Sequence, residues 1–141
     1  MTFRIQENDV VRDATPEEIR RLFRRAFIIG RRFQIVHVMF GQDLIEVTTF
    51  RGNSTDDAQK DAHGRVLRDN TFGEQHEDAA RRDFTINAMY YDPAEQLVLD
   101  YHGGMKDIRN HTMRIIGAAE ARYREDPVRL LRVVRFAAKL E

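Results

Sequence analysis

The sequence predicts an α/β fold of the α+β kind, a mixed sheet flanked by helices, and three observations predict it. Thr15-Pro16-Glu17-Glu18 opens a helix and is followed within a few residues by a strand hairpin. Short strand patterns and short helical patterns then share residues 75–124. A longer amphipathic helix begins at Pro127 and runs to the chain end.

Taken in order, Thr15 can cap, Pro16 suits the first turn and Glu18 stands three residues after the cap, the pattern of a capping box. Ile19, Leu22, Phe23 and Ala26 recur at helical spacing and predict one apolar stripe, with Arg20, Arg21, Arg24 and Arg25 filling the rest. Phe33 to Phe40 reads as a strand, Gly41-Gln42-Asp43 as a tight turn and Leu44 to Phe50 as the hairpin mate. Apolar residues on both faces of each strand predict a sheet covered on both sides. Residues 53–70 are polar and without period, and read as a mobile loop. Glu77 to Arg82 suits a short helix; Ile86 to Tyr91 and Gln96 to Tyr101 read as strands joined by an Asp92-Pro93 turn. Gly103-Gly104 reads as a break, Met113 to Ile116 as a short strand and Ala118 to Arg124 as a helix. In the last helix Arg129, Arg132, Arg135 and Lys139 lie to one side, opposite Leu130, Leu131, Val134, Ala137 and Ala138. The chain stops in mid-helix without a cap signal, the pattern of a piece of something longer.

Composition sets limits. The 141 residues match one ordinary domain. Lys+Arg and Asp+Glu are each 23, so a nucleic-acid surface would have to be a local patch. Twenty of the cations are arginine. Arginine forks suit phosphates, and codon bias explains such a skew equally well. Cysteine is absent, which excludes a disulfide scaffold, a thiol nucleophile and a cysteine zinc site and fits a cytoplasmic setting. No apolar run reaches membrane-span length and Met1 to Val11 is no signal peptide, so no membrane partner is expected.

Three constellations carry chemistry. In Glu77 to Asn87, Arg82 can hold a triphosphate, Asp83 can orient that arginine and Asn87 can take a sugar or phosphate oxygen. The same residues also suit a plain salt-bridge network. In Glu125 to Arg132, Asp126 and Arg129 can together read the edge of a base, or simply cap and solvate a helix. Glu7 and Asp9 share a face if they lie on a strand, and Glu46 in the hairpin is a third carboxylate; three converging carboxylates would hold two magnesium ions.

Together, Arg81-Arg82-Asp83-Phe84-Thr85-Ile86-Asn87-Ala88, Gly103-Gly104-Met105-Lys106-Asp107, Tyr123 to Arg132 and Arg135-Phe136-Ala137 resemble the head and neck of the class II nucleotidyltransferases, the bacterial poly(A) polymerases and CCA-adding enzymes. Ile28 to Val38 resembles the stretch that separates the poly(A) polymerases from their CCA-adding relatives, and Ile45 to Gly52 is similar to the sequence that follows that stretch. The resemblance implies a nucleotidyltransferase-like head over 1–117 and the start of a helical neck over 118–141. It implies addition of AMP from ATP to RNA 3′ ends, with CCA addition, or a catalytically dead nucleotide- or RNA-binding remnant, as the alternatives. It also implies a two-metal Mg2+ site at Glu7, Asp9 and Glu46, with Glu7 standing where the family has aspartate. It gives nucleotide-binding roles to Arg82, Asp83, Asn87, Asp126, Arg129 and Arg132, and a monomer acting on ATP and an RNA 3′ end. Because the family's glycine-rich phosphate loop would precede Met1, the resemblance implies a head started late and stopped early, weak or inactive as an isolated chain.

Overall fold

The structure, a computed structural model, describes residues 9–30, 33–52, 59–60, 66–68 and 72–140. They fall into two compact units, Met1–Glu77 and Asp78–Glu141. This cut rests on compactness alone, and it falls elsewhere than the 117/118 division that the resemblance implies.

In the first unit, β1 (Asp9–Arg12), β2 (Ala26–Ile29), β3 (Ile35–Phe40) and β4 (Asp43–Thr49) form one sheet in the order β1-β4-β3-β2. β1 runs parallel to β4, and the other pairings are antiparallel. α1 (Pro16–Leu22) is the crossover from β1. Its capping box is complete: the Glu18 backbone N–H donates to Thr15 Oγ1, and Glu18 accepts from the Thr15 backbone N–H at 2.8 Å. α1 lays Ile19 on Ala26, Val36, Val38 and Val47, and Ala14, Ile28 and Ile45 complete that core.

Two expectations change here. The helix ends at Leu22 and Phe23 turns to extended backbone, so Ala26 belongs to a strand; it stays buried, in the same core as Ile19. The sheet is also not covered on both sides. Phe27 is 59% exposed, and Ile29 and Leu44 are exposed on the face away from α1. Gly30, directly after β2, has φ +89°, and a Cβ there would strike the Phe33 carbonyl. Within the expected loop at 53–70, β5 (Gln59–Lys60) and β6 (Val66–Arg68) pair antiparallel, so the segment carries a ladder that its polar composition hides. The rest of the loop lies outside the described residues.

The second unit follows the start of α2 (Gln75–Arg81). A single 3-10 turn, Thr85–Asn87, stands where a strand is predicted, and the hairpin is β7 (Met89–Asp92) with β8 (Leu97–Asp100). Asp92 Oδ1 accepts from the Ala94 and Glu95 backbone N–H groups and fixes the hairpin turn. α3 (Gly104–Arg109) occupies the predicted break. Asp100 accepts from the backbone of Gly104 and Met105 at 2.8 and 2.9 Å, so the glycine pair starts a helix rather than ending one. A Cβ on Gly104 would strike the Thr85 carbonyl. The predicted strand over 113–116 is a single bridge, Ile115 to Phe84. α4 (Ala119–Glu125) and α5 (Val128–Leu140) complete the unit. Its buried centre is Ala79, Phe84, Ala88 and Ile116, with Tyr90 packed beside them and Phe136 edge-on to Phe84 at 5.9 Å. Among the described residues no helix is long and apolar enough to cross a membrane.

Candidate functional site

The sheet register places the first group of candidate residues. Asp9 is the partner of Glu46, Glu46 of His37 and His37 of Phe27, so the four positions form one rung across the sheet. Paired positions on neighbouring strands lie about 5 Å apart. Two of the three predicted carboxylate positions are thereby adjacent. Glu7 lies outside the described residues, and among the described residues no three His, Cys, Asp or Glu side chains gather to hold a metal. Glu46 is 44% exposed, with Oε1 at 3.1 Å from His37 Nε2. His37 was not singled out in the sequence, although the tight turn at 41–43 pairs it with Glu46.

A second group of candidates stands at the end of α2. Arg82 donates from Nε and Nη2 to Asp78 Oδ2 at 3.3 and 3.1 Å, and the Tyr90 hydroxyl donates to the same oxygen at 2.6 Å. Burial, and then donation to Asp78, push the Tyr90 phenol above its ordinary pKa, so it remains a donor at neutral pH. This corrects the expectation that Asp83 orients Arg82. Asp78 does so, from one helical turn earlier, and the i,i+4 spacing was the available signal. Asp83 faces another way: Oδ1 accepts from the Phe84 backbone at 2.8 Å and from Asn87 Nδ2 at 3.4 Å, and Oδ2 accepts from Arg132 Nε at 2.6 Å. Asp83 thus brings together Asn87 and Arg132. The interleaved charges are not a solvated surface network, because Asp78 and Asp83 are both largely buried.

The junction of α4 and α5 holds the remaining candidates. Asp126 Oδ1 accepts from the Val128 backbone N–H at 3.1 Å, the capping role. Arg129 is not on a solvated face. Its side chain is 11% exposed, and Nη1 donates to Glu125 Oε2 and to the Arg122 carbonyl, both at 2.8 Å. Glu125 also accepts from Arg122 at 2.9 Å. Donation from Arg129, against the opposing cost of burial, and the Arg122 charge hold the Glu125 carboxyl below its usual range. Arg122 and Asp78 were missed in the sequence. Beneath the turn, Asp107 accepts from Thr85 Oγ1 at 2.7 Å and from Arg114 Nε at 3.0 Å, and fixes the 3-10 turn from below. Asp9 and Glu46 belong to the first unit, and Arg82, Asp83, Asn87, Asp126, Arg129 and Arg132 to the second.

The mixed sheet flanked by helices is that of a nucleotidyltransferase: the crystal structure of the Bacillus stearothermophilus CCA-adding enzyme in complex with CTP matches 88% of this chain, and 28% of its own, at a TM-score of 0.68 and 34% identity. The family model described as Poly A polymerase head domain matches residues 1–114, and the chain belongs to that family. It is 55% identical over 138 residues to Poly(A) polymerase I of Escherichia coli O6:H1, covering 94% of this chain and 30% of that protein. It is 36% identical over 137 residues to the CCA-adding enzyme of Staphylococcus aureus strain MRSA252, covering 96% of this chain and 33% of that protein. The chain therefore spans about a third of the curated relatives it matches.

Proposed function

We propose that the protein carrying this chain adds AMP from ATP to RNA 3′ ends without a template, with a catalytic head over 1–117 and the start of an RNA-binding neck over 118–141. The observation that carries the chemistry is the rung joining Asp9 to Glu46. The register pairs two carboxylate-bearing positions, carboxylates are the hard oxygen donors magnesium takes, and Glu7 would add a third. Bound Mg2+ would supply charge at the attacking 3′-hydroxyl and the departing pyrophosphate. Arg82, braced by Asp78 with its side chain 38% exposed, would neutralise the triphosphate. Asn87 and Arg132, both fixed by Asp83, would position the nucleotide, and Asp126 with Arg129 would read its base. Identity of 55% to a poly(A) polymerase against 36% to a CCA-adding enzyme supports ATP alone as the substrate. The protein would act as a cytoplasmic monomer. The test offers each of four labelled nucleotides with an RNA primer and with transfer RNA. Long tails from ATP are expected. CTP addition limited to transfer RNA ends would move the assignment to the CCA-adding alternative, and binding without incorporation would make the protein a nucleotide-binding remnant. The isolated 141-residue chain, a third of its relatives' length, is expected to give no more than trace incorporation.

A further inference from the structure

Arg122 donates hydrogen bonds through both of its terminal nitrogens. Nη2 donates to the backbone carbonyls of Arg81 and Arg82, both at 2.7 Å, where the last turn of α2 leaves acceptors without helical partners. Nη1 donates to Glu125 Oε2 at 2.9 Å. Its own backbone carbonyl accepts from Arg129 at 2.8 Å. The side chain is 18% exposed, and Nε is buried without a partner among the described residues. One guanidinium therefore touches the backbone that carries Arg82 and the carboxylate that holds Arg129.

We infer that Arg122 is a positioning residue that couples the phosphate-binding turn at Arg81–Arg82 to the base-reading pair Asp126 and Arg129, so that nucleotide choice depends on a side chain that contacts no nucleotide. The inference rests on the nucleotidyltransferase reading above. The planar fork is what the arrangement needs: two nitrogens set at a fixed angle serve two carbonyls on one side and a carboxylate on the other. A lysine ammonium carries the same charge from a single point and cannot span both. With the fork removed, Glu125 loses one of its two arginine donors among the described residues, and the carbonyls of Arg81 and Arg82 lose the donor that joins them to α4. Arg129 and the Arg82 backbone then move independently. Misplacement by about 1 Å can cost a hundredfold in rate.

The experiment measures kcat/KM for ATP and for CTP on an RNA primer with the full protein that carries this chain, comparing wild type with Arg122→Lys, Arg129→Ala and the double variant, with Arg122→Gln as a second replacement. Arg122→Lys is expected to lower kcat/KM for ATP by about tenfold to a hundredfold and to reduce the ATP-to-CTP preference by about tenfold. Adding Arg129→Ala to it is expected to change the preference no further, because a coupled pair is not additive. A preference for ATP that survives Arg122→Lys, or an Arg129→Ala effect undiminished in that background, would overturn the coupling and leave the functional reading standing. A wild type that incorporates no nucleotide, or that prefers none, would overturn the functional reading and the coupling with it. Thermal unfolding separates position from bulk stability: if Arg122→Lys and Arg122→Gln both fail to fold, Arg122 is a structural cap for α2 and the inference is wrong.

Discussion

The sheet unit and the arginine-rich unit hold their functional side chains by opposite means. In Met1–Glu77 the position of Glu46 is set by backbone register in a four-stranded sheet, and among the described residues its side chain pairs with His37. In Asp78–Glu141 three carboxylates are shared: Asp78 by Arg82 and Tyr90, Asp83 by Phe84, Asn87 and Arg132, and Glu125 by Arg122 and Arg129. Where the backbone does the positioning, chemistry and stability rest on different atoms. Where side chains position one another, they rest on the same atoms.

The largest way to break this contrast is at the centres of the two units. Phe84 is fully buried, spans from the turn to Phe136 on α5, and follows directly on Asp83. Phe84→Ala is expected to cost about 3–5 kcal/mol in urea unfolding. Val36 is as deeply buried in the sheet core, but its truncation removes only two methyl groups, about 2 kcal/mol. Phe84→Ala should in addition release α5, seen as faster amide exchange over residues 128–140. Equal losses at both sites and unchanged exchange in α5 would contradict the claim that the second unit is tied together through this turn.

The next test asks whether chemistry and stability separate in the sheet and not in the turn. Glu46→Gln keeps the shape and hydrogen-bonding reach of a half-exposed side chain. Its stability should stay within about 0.5 kcal/mol of wild type, while nucleotide incorporation by the full protein falls about a hundredfold. Asp83→Ala should lose both, because it strips the Phe84 N–H, Asn87 and Arg132 of their acceptor, at a cost of about 1–3 kcal/mol. A Glu46→Gln protein that unfolds like Asp83→Ala would erase the distinction.

The same contrast explains what could be read from the sequence. α1 was legible because its signals are local: Thr15, Pro16 and Glu18 lie within four residues and all act as read. The β3–β4 hairpin was legible from its turn. β2 was not, because Ala26 fits the helical spacing from Ile19 as well as it fits a strand; both readings bury it in one core, and only the extended backbone at Phe23 decides. α3 was hidden because two glycines read as a break, while the residue that starts the helix, Asp100, stands four positions before Gly104. At the site, residue types and their order were legible but partners were not. Asp83 is next to Arg82 in sequence yet pairs with Arg132, 49 residues away, and a distant partner leaves no local trace. Arg129 reads as exposed from its spacing because the acceptors that bury it, Glu125 and the Arg122 carbonyl, are chosen by how α4 meets α5.

The smallest expected effect concerns Asp100, the carboxylate that serves backbone rather than side chains. Burial opposes its ionisation, but the N–H groups of Met105, Gly104, His102 and Gly103 outweigh it, and the folded carboxyl titrates below its ordinary value. A folded pKa below the unfolded one means that this stabilisation is fully present above the unfolded value, about 3.9. It is lost as pH falls through the lower folded value. A charge at a helix start contributes about 0.5 kcal/mol, and α3 is only six residues long, so little more is expected. Asp100→Asn keeps one acceptor oxygen and removes the charge. Its urea midpoint should lie slightly below wild type at pH 7, and the gap should be smaller at an acid pH below the unfolded value of about 3.9. A gap between them that is the same at both pH values would mean that the shape of the cap, and not its charge, starts α3 after the glycine pair.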